Sequence, residues 1–372
     1  MYSMSLRIAR IGFNCSLTQF ADLKLMPIRT LFTREELGVT QFERHRQNAH
    51  ADYIIPEQIE EYKQRFVKEF ENMRLDEMRN NLKQYILLID GKPDEFNTLK
   101  SLLTDYYKTY NNSVHHVSDF VFGTPIMRLL YFLNLPDEAV KLFNDPDMRS
   151  VFEQMQTYKV LLTLLYDNKR YAEVFELYKQ IRTRLDLFEL FPDITINCLA
   201  FAACYQLNTP EHFQYADELW KQAQNVKQLS RSRYLLAGLA IKQNSPKYAL
   251  GLVRSPFPYA TVRFLRLAAF TQLGYYDKAI DILQQSVANF KLNSTSTKPS
   301  FGKQMVEDLR KAIEKSGRKK DLSDFQKIHE ELTSLSLLSD ETLDERLCAT
   351  FPPMLPKNLY QKMKNKTFKA NN

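Results

Sequence analysis

Apolar residues in the middle of the chain recur at helical spacing, in pairs of short blocks separated by polar residues. In "LLTLLYDNKRYAEVFELYKQI" (161–181), Tyr171, Val174, Phe175 and Tyr178 fall at i, i+3, i+4 and i+7, the stripe of an amphipathic helix. A leucine stripe precedes them, and four polar residues lie between the two blocks. Each helix is too short to be stable alone. The pattern therefore predicts an antiparallel helix pair that must pack on a neighbour.

The same helix–turn–helix pattern occurs again in residues 129–143, 201–220, 236–253 and 265–283. One small residue early in each second helix marks the register: Ala139, Val174, Ala216, Ala249 and Ala279. Their spacings are 35, 42, 33 and 30 residues, with a mean of 35. Stacked two-helix units of this length predict an α-solenoid. A tetratricopeptide array has a period of about 34 residues, so the length does not select the family. An irregular helical bundle is the alternative.

Helical patterns also flank the repeats. A long or broken helix is predicted over 57–89 and a further helix over 98–110. After the loop "STSTKPS", helices are predicted near 302–316 and 322–338. The expected fold is all-α, an α-solenoid of stacked helical hairpins with helical caps at both ends. The expected division is an N-terminal cap at 35–120, a repeat array at 121–292 and a C-terminal cap at 300–350.

The excess of positive charge lies at the two ends of the chain. The 372 residues carry a net charge of +7, of which residues 1–34 contribute +4 and residues 357–372 contribute +5. The first 34 residues are arginine-rich, nearly free of acids and amphipathic, which is typical of a mitochondrial transit peptide; a disordered basic tail is the alternative. The lysine-rich end, 351–372, is expected to be disordered. No apolar run approaches the roughly 20 residues that span a bilayer.

Known catalytic motifs are missing from the sequence. It has no P-loop, no GxGxxG and no nucleophile elbow, and its six histidines show no metal-ligand spacing. The four cysteines (Cys15, Cys198, Cys204 and Cys348) fit neither a disulfide framework nor a zinc site, which favours a reducing compartment. We therefore predict a protein that is not an enzyme and needs no cofactor, metal or small-molecule substrate.

One window of the repeat region is free of acidic residues. From Leu219 to Tyr276 there is no Asp or Glu. The window has nine basic residues: Lys221, Lys227, Arg231, Arg233, Lys242, Lys247, Arg254, Arg263 and Arg266. Five aromatic residues lie among them: Tyr234, Tyr248, Phe257, Tyr259 and Phe264. Cations that neutralise phosphates and rings that stack on bases suit single-stranded nucleic acid. Core packing is the alternative for most of the rings, and docking of an acidic protein for the cations.

Three blocks of sequence resemble the pentatricopeptide repeat family. "TYKVLLTLLYDNKRYAEVFELYKQI" followed by "FPD" (157–193) has the Thr-Tyr opening, the apolar first helix, the turn and the closing Pro-Asp of one repeat. "FGTPIMRLLYFLNL" (122–135) and "LAFAACYQLN" (199–208) extend the resemblance, which covers roughly residues 40–350. The other repeats match the family pattern less well than 157–193.

The resemblance implies a protein of the mitochondrial matrix that binds single-stranded mitochondrial RNA, assists its maturation and so supports respiratory-chain gene expression. In this family each repeat can read one base through side chains of its first helix. The main reading position, ten residues before the turn, corresponds here to Thr124, Lys159, Asn197, Arg233 and Phe264. Only Thr124 and Asn197 are the small polar types of the family's recognition code, so we expect modest sequence preference.

The RNA contacts expected are Lys159 and Arg233 on phosphates and Asn197 on a base edge. Arg231, Arg263 and Arg266 would add phosphate contacts or a general positive field. The alternative function is a protein-interaction scaffold bound to the mitochondrial ribosome or to an RNA-processing enzyme.

Overall fold

The computed structural model describes residues 30–111, 120–186, 193–223, 230–254, 260–292 and 298–350. The predicted basic tail and most of the predicted transit peptide lie outside these residues. So do Cys15, the pair His115 and His116, and, among the basic and aromatic residues named in the acid-free window, Lys227, Phe257 and Tyr259.

Four helices form the N-terminal cap. They are α1 (Val39–Ala51), α2 (Pro56–Glu69), α3 (Leu75–Leu88) and α4 (Pro93–Asn111). The sequence predicted a long or a broken helix over 57–89. The structure shows the broken form, because a 3₁₀ turn at Phe70–Asn72 separates α2 from α3.

A buried ion pair fixes the turn between α3 and α4. Lys63 Nζ lies 2.5 Å from Glu95 Oε1, and both residues are less than a tenth exposed. The second oxygen of Glu95 accepts hydrogen bonds of 3.0 Å from the backbone amides of Asp90, Gly91 and Lys92. Each buried charge is therefore compensated, as burial requires.

Five helical hairpins follow. The first helices are α5 (Gly123–Phe132), α7 (Met155–Asp167), α9 (Ile194–Leu207), α11 (Ser230–Lys242) and α13 (Ala260–Leu273). The second helices are α6 (Pro136–Asn144), α8 (Tyr171–Asp186), α10 (Pro210–Gln222), α12 (Pro246–Leu252) and α14 (Tyr276–Leu292). Each first helix packs on its own second helix and on the first helices of the neighbouring hairpins. The first helices therefore form one continuous layer.

The five hairpin turns share one backbone conformation. One or two residues after each first helix, the backbone takes a left-handed φ between 51° and 71°, at Asn134, Lys169, Asn208, Asn244 and Gly274. Asn and Gly tolerate this conformation best, and they occupy four of the five positions. Side-chain amides link neighbouring turns: Asn168 Nδ2 donates to Asn134 Oδ1 at 2.8 Å, and Gln243 Nε2 donates to Asn208 Oδ1 at 2.8 Å.

The C-terminal cap contains α15 (Lys303–Ser316) and α16 (Lys319–Ser334), close to their predicted positions. Two short strands, which the sequence did not predict, lie before α15 and after α16 in the chain. They are β1 (Phe301–Gly302) and β2 (Leu338–Ser339), and they pair in parallel. A last helix, α17 (Leu343–Cys348), also unpredicted, returns to pack on α11 and α13.

The apolar core falls into two clusters that meet at α13. Leu265 belongs to the larger cluster, which runs from the N-terminal cap through the array. Leu267, on the same helix, belongs to the cluster formed with α14, α15 and α16. The expected all-α solenoid with helical caps is confirmed. None of the helices in the described part of the chain is long and apolar enough to cross a membrane.

Candidate nucleic-acid interface

Two segments of the chain itself cover one side of the first-helix layer. Near the N-terminus, residues 31–38 form what we call the N-terminal strap. The carbonyl of Leu37 accepts hydrogen bonds from Arg128 Nε on α5 at 2.9 Å and from Gln156 Nε2 on α7 at 3.3 Å. The Phe32 ring, only 2% exposed, lies 4.5 Å from Lys159 Nζ. The strap therefore crosses the first two hairpins.

At the other end, α17 crosses the last three hairpins. Asp344 accepts a hydrogen bond from the Tyr205 hydroxyl on α9, and its carboxylate lies 3.1 Å from Lys242 Nζ on α11. Gln206 Nε2 donates to Cys348 Sγ at 3.2 Å, and the Arg231 guanidinium donates to the carbonyl of Ala349.

We call the covered surface the first-helix face. It is defined by the residues that contact the strap or α17: Arg128, Gln156, Lys159, Tyr205, Gln206, Arg231, Gly238, Lys242 and Phe264. On α11, positions 231, 238 and 242 are seven and four residues apart, so they share one side of the helix.

Of the six residues predicted to bind RNA, Lys159 and Arg231 lie on the first-helix face. Arg263 lies at its edge, with its guanidinium carbon 5.8 Å from the centroid of the Phe301 ring. Arg233 lies over the ring of Tyr234, at 5.4 Å, and Arg266 donates to the carbonyl of Val253 at 3.0 Å. Arg233 is about 200° around α11 from Arg231, so the two arginines do not share a surface.

Asn197 is inside the protein. Its side chain is 0% exposed, and its Oδ1 accepts a hydrogen bond of 2.7 Å from the Tyr178 hydroxyl on α8. In this arrangement Asn197 cannot reach a base edge. Thr124 is likewise engaged, because its hydroxyl lies 3.0 Å from that of the buried Thr157.

The left-handed turn residues give a second way to count the reading positions. Counting ten residues back from Asn208 and Asn244 gives Cys198 and Tyr234, not Asn197 and Arg233. The first, second and fifth positions (Thr124, Lys159 and Phe264) are unchanged.

Burial removes part of the hydration of the cations on the face. Burial lowers the pKa of Lys159, with the carboxylates of Glu36 and Asp193 opposing the effect. Burial also lowers the pKa of Arg231. For Arg263, burial and the nearby Arg346 guanidinium both lower the pKa. These side chains are therefore positioned cations that are not fully hydrated.

In the folded protein, acidic residues from outside the acid-free window contact its basic residues. Lys242 pairs with Asp344 of α17, and Lys221 lies 2.6 Å from Asp217, which precedes the window. The described aromatic residues of the window are largely packed, as the core alternative predicted. Phe264 is 1% exposed, and the Tyr248 hydroxyl donates to Asp217.

Arg128, Tyr205 and Lys242 lie on the first-helix face but were not among the six residues predicted to bind RNA. Lys242 Nζ lies 3.9 Å from the centroid of the Tyr205 ring. Lys242 was visible in the acid-free window, but Tyr205 lies in an apolar helix without any distinguishing signal. Among the described residues, no three His, Cys, Asp or Glu side chains are grouped so that they could hold a metal ion.

Sequence comparison places these observations among known proteins. No protein-family model matches the chain. It is 25% identical over 305 residues to "Pentatricopeptide repeat-containing protein 2, mitochondrial" of Xenopus laevis, covering 79% of this chain and 76% of that protein. The proteins of the same name from Pongo abelii and Homo sapiens are 24% and 23% identical over 266 residues. These matches cover 69% of this chain and 66% and 65% of those proteins. The resemblance to the pentatricopeptide repeat family is thereby confirmed, with mitochondrial pentatricopeptide repeat-containing protein 2 as the protein to which this chain is similar.

Proposed function

We propose that this chain is a non-catalytic, RNA-binding helical-repeat protein of the mitochondrial matrix. Its role would be to hold single-stranded mitochondrial RNA during maturation and so support respiratory-chain gene expression. The observation that carries the proposal is the set of cations that the first, second and fourth hairpins place on the first-helix face: Arg128 on α5, Lys159 on α7, and Arg231 and Lys242 on α11. The mitochondrial relatives support the location.

In this proposal, affinity comes mainly from phosphates. Lys159 and Arg231 would each neutralise one phosphate, and Arg263 at the edge of the face a further one. Arg233 and Arg266, which lie off the face, would contribute to the positive field. Because Asn197 is buried, it would contact a base only if α8 and α9 separated. Sequence preference is therefore expected to be modest.

A salt titration with matched variants tests this function. For single strands, log K falls with log salt by about 0.7 for each phosphate neutralised. We expect Lys159→Gln together with Arg231→Gln to reduce the slope by about 1.4. Binding of a fluorescent 20-nucleotide RNA, measured from low to physiological salt, gives both slopes.

Lys247→Gln is the control. Lys247 is exposed on α12, a second helix, and its substitution removes one positive charge without touching the first-helix face. Its slope should stay within experimental error of the unchanged protein. An equal loss of slope in the control and in the Lys159 and Arg231 variant would contradict the proposed surface.

A protein-interaction scaffold is the second candidate. It is favoured by the fact that the first-helix face already accepts two peptide segments, the N-terminal strap and α17. Its partner would be the mitochondrial ribosome or an RNA-processing enzyme. Absence of RNA binding at low salt, with co-sedimentation with ribosomes that survives ribonuclease, would favour the scaffold.

A further inference from the structure

We propose that α17 covers part of the RNA site, and that its release exposes two aromatic rings, Tyr205 and Phe264, on which bases stack. Lys242 and Arg231 beside them would then hold the adjoining phosphates. The inference rests on the proposed RNA-binding function and adds to it the residues that contact bases and the element that controls their access.

The contacts of α17 resemble those of a nucleotide strand. The Asp344 carboxylate sits against Lys242, where a phosphate would be held, and the carbonyl of Ala349 accepts from Arg231. The Arg346 guanidinium lies 4.6 Å from the centroid of the Phe264 ring, covering that ring as a base would. An anion and a flat group therefore occupy the positions that phosphate and base would take.

Both rings are buried in the folded protein and lie close to cations. Tyr205 and Phe264 are 0% and 1% exposed, and each has a cation against it, Lys242 on Tyr205 and Arg346 on Phe264. The ring of Phe264 is also stacked on that of Phe301, with a centroid distance of 6.5 Å and an angle of 6° between the rings. An aromatic ring held in place by a neighbouring ring is a suitable stacking platform for a base.

The attachment of α17 is limited. The helix has six residues, so it has little stability of its own, and only Leu347 and Cys348 are buried in it. Beside it is a partly open cavity of about 320 Å³, lined by residues of α13, α15 and α17 that include Thr271, Gln304 and Leu343. Incomplete packing on this side lowers the cost of moving α17 away.

Leu347→Ala tests the cover without changing any charge. Leu347 is the apolar anchor of α17 and packs against Gly238, whose added Cβ would lie 2.6 Å from Leu347 Cδ1. Loss of this anchor should raise the fraction of molecules with α17 released, and apparent affinity rises in proportion to that fraction. We expect the full chain carrying Leu347→Ala to bind a fluorescent mixed-sequence 20-nucleotide RNA about tenfold more tightly.

Substitutions in the Leu347→Ala background identify the bases as the ligand. Tyr205→Leu should remove most of the gain, whereas Tyr205→Phe, which keeps the ring, should retain it. Heparin, an anionic polymer without bases, should bind the two ring variants equally. If heparin affinity rises as much as RNA affinity in Leu347→Ala, the cover exposes only charge, and stacking is refuted.

Asp344→Asn provides a second opening variant, in case Leu347→Ala does not fold. It removes the negative charge that pairs with Lys242 and that accepts from the Tyr205 hydroxyl. Asp340→Asn is its matched control, because this substitution removes the same negative charge four residues away in the chain. The Asp340 side chain is 88% exposed and pairs with Lys303, away from the first-helix face. RNA affinity should rise in the first variant and not in the second.

The outcomes separate the two proposals. RNA binding by the unchanged protein with no gain in either opening variant would refute the cover and leave the proposed function standing. Absence of RNA binding in the unchanged and opened proteins alike would refute both. A tenfold gain that Tyr205→Leu abolishes supports both.

Discussion

Asp167 is a carboxylate that the fold buries without a compensating charge. The Tyr131 hydroxyl donates to its Oδ2 at 2.6 Å, while its Oδ1 is buried without a hydrogen-bond partner in the described part of the chain. Burial raises the pKa of Asp167 from its ordinary value of 3.8 to about 7, although the Tyr131 hydrogen bond opposes the rise. The charged form of this side chain therefore destabilises the folded protein.

The sign of the pH dependence follows directly. Between pH 3.8 and about 7 the folded state holds a proton that the unfolded state has released. The free energy of unfolding therefore falls as pH rises through this window, and the loss is complete above pH 7. Asp167→Asn should remove this loss and raise the free energy of unfolding at pH 8 by on the order of 2 kcal/mol. Urea titrations at pH 5 and pH 8 should show a smaller gain at pH 5; an equal gain at both values would contradict the raised pKa.

At the scale of elements, each of the five hairpin turns contains one residue in the left-handed backbone conformation. Four of the five left-handed positions hold Asn or Gly, but the second holds Lys169, at φ 60°. A side chain with a Cβ is strained in this conformation. The left-handed residues are 35, 39, 36 and 30 positions apart. The longest interval falls between the second and third turns, where the small-residue anchors were 42 residues apart.

Lys169→Gly should relieve that strain. We expect the free energy of unfolding to rise by about 0.5–1 kcal/mol, measured by chemical denaturation. The reverse change at an equivalent turn, Asn244→Lys, should lower it by a similar amount. If both substitutions shift stability in the same direction, the left-handed conformation is not what determines the effect.

At the scale of the whole molecule, α13 joins two hydrophobic clusters. Leu265 and Leu267 are 0% and 1% exposed, and they lie on opposite sides of this helix in different clusters. In a stacked array each unit contacts mainly its neighbours. A substitution that destabilises one cluster should therefore loosen the helices of that cluster more than those of the other.

Leu265→Ala and Leu267→Ala form a matched pair for this test. Each should cost about 2–4 kcal/mol of stability, because a cavity replaces a buried leucine. Hydrogen exchange should accelerate mainly in α9 and α11 for the first variant, and mainly in α14 to α16 for the second. The same exchange pattern in both variants would show that the array unfolds as one unit.

The sequence by itself determined the fold class. Periodic apolar residues and a repeated helix–turn–helix pattern were sufficient for an all-α solenoid with helical caps, because amphipathic periodicity and short connectors are local properties of a chain. It also determined the family resemblance, which depends on the residue order in three blocks. The left-handed conformation of Asn208 and Asn244 was not predicted, because residue types alone do not fix the backbone conformation at a helix end.

Only the tertiary structure decided what the first-helix face contacts. The acid-free window indicated exposed cations, yet Lys242 meets Asp344, 102 positions later, and Asn197 is enclosed by Tyr178. The strap and α17 come from opposite ends of the described chain and reach the same layer of helices. Contacts between residues so distant in sequence depend on how the hairpins stack and where the ends return. No local pattern of hydrophobic and polar positions encodes that arrangement.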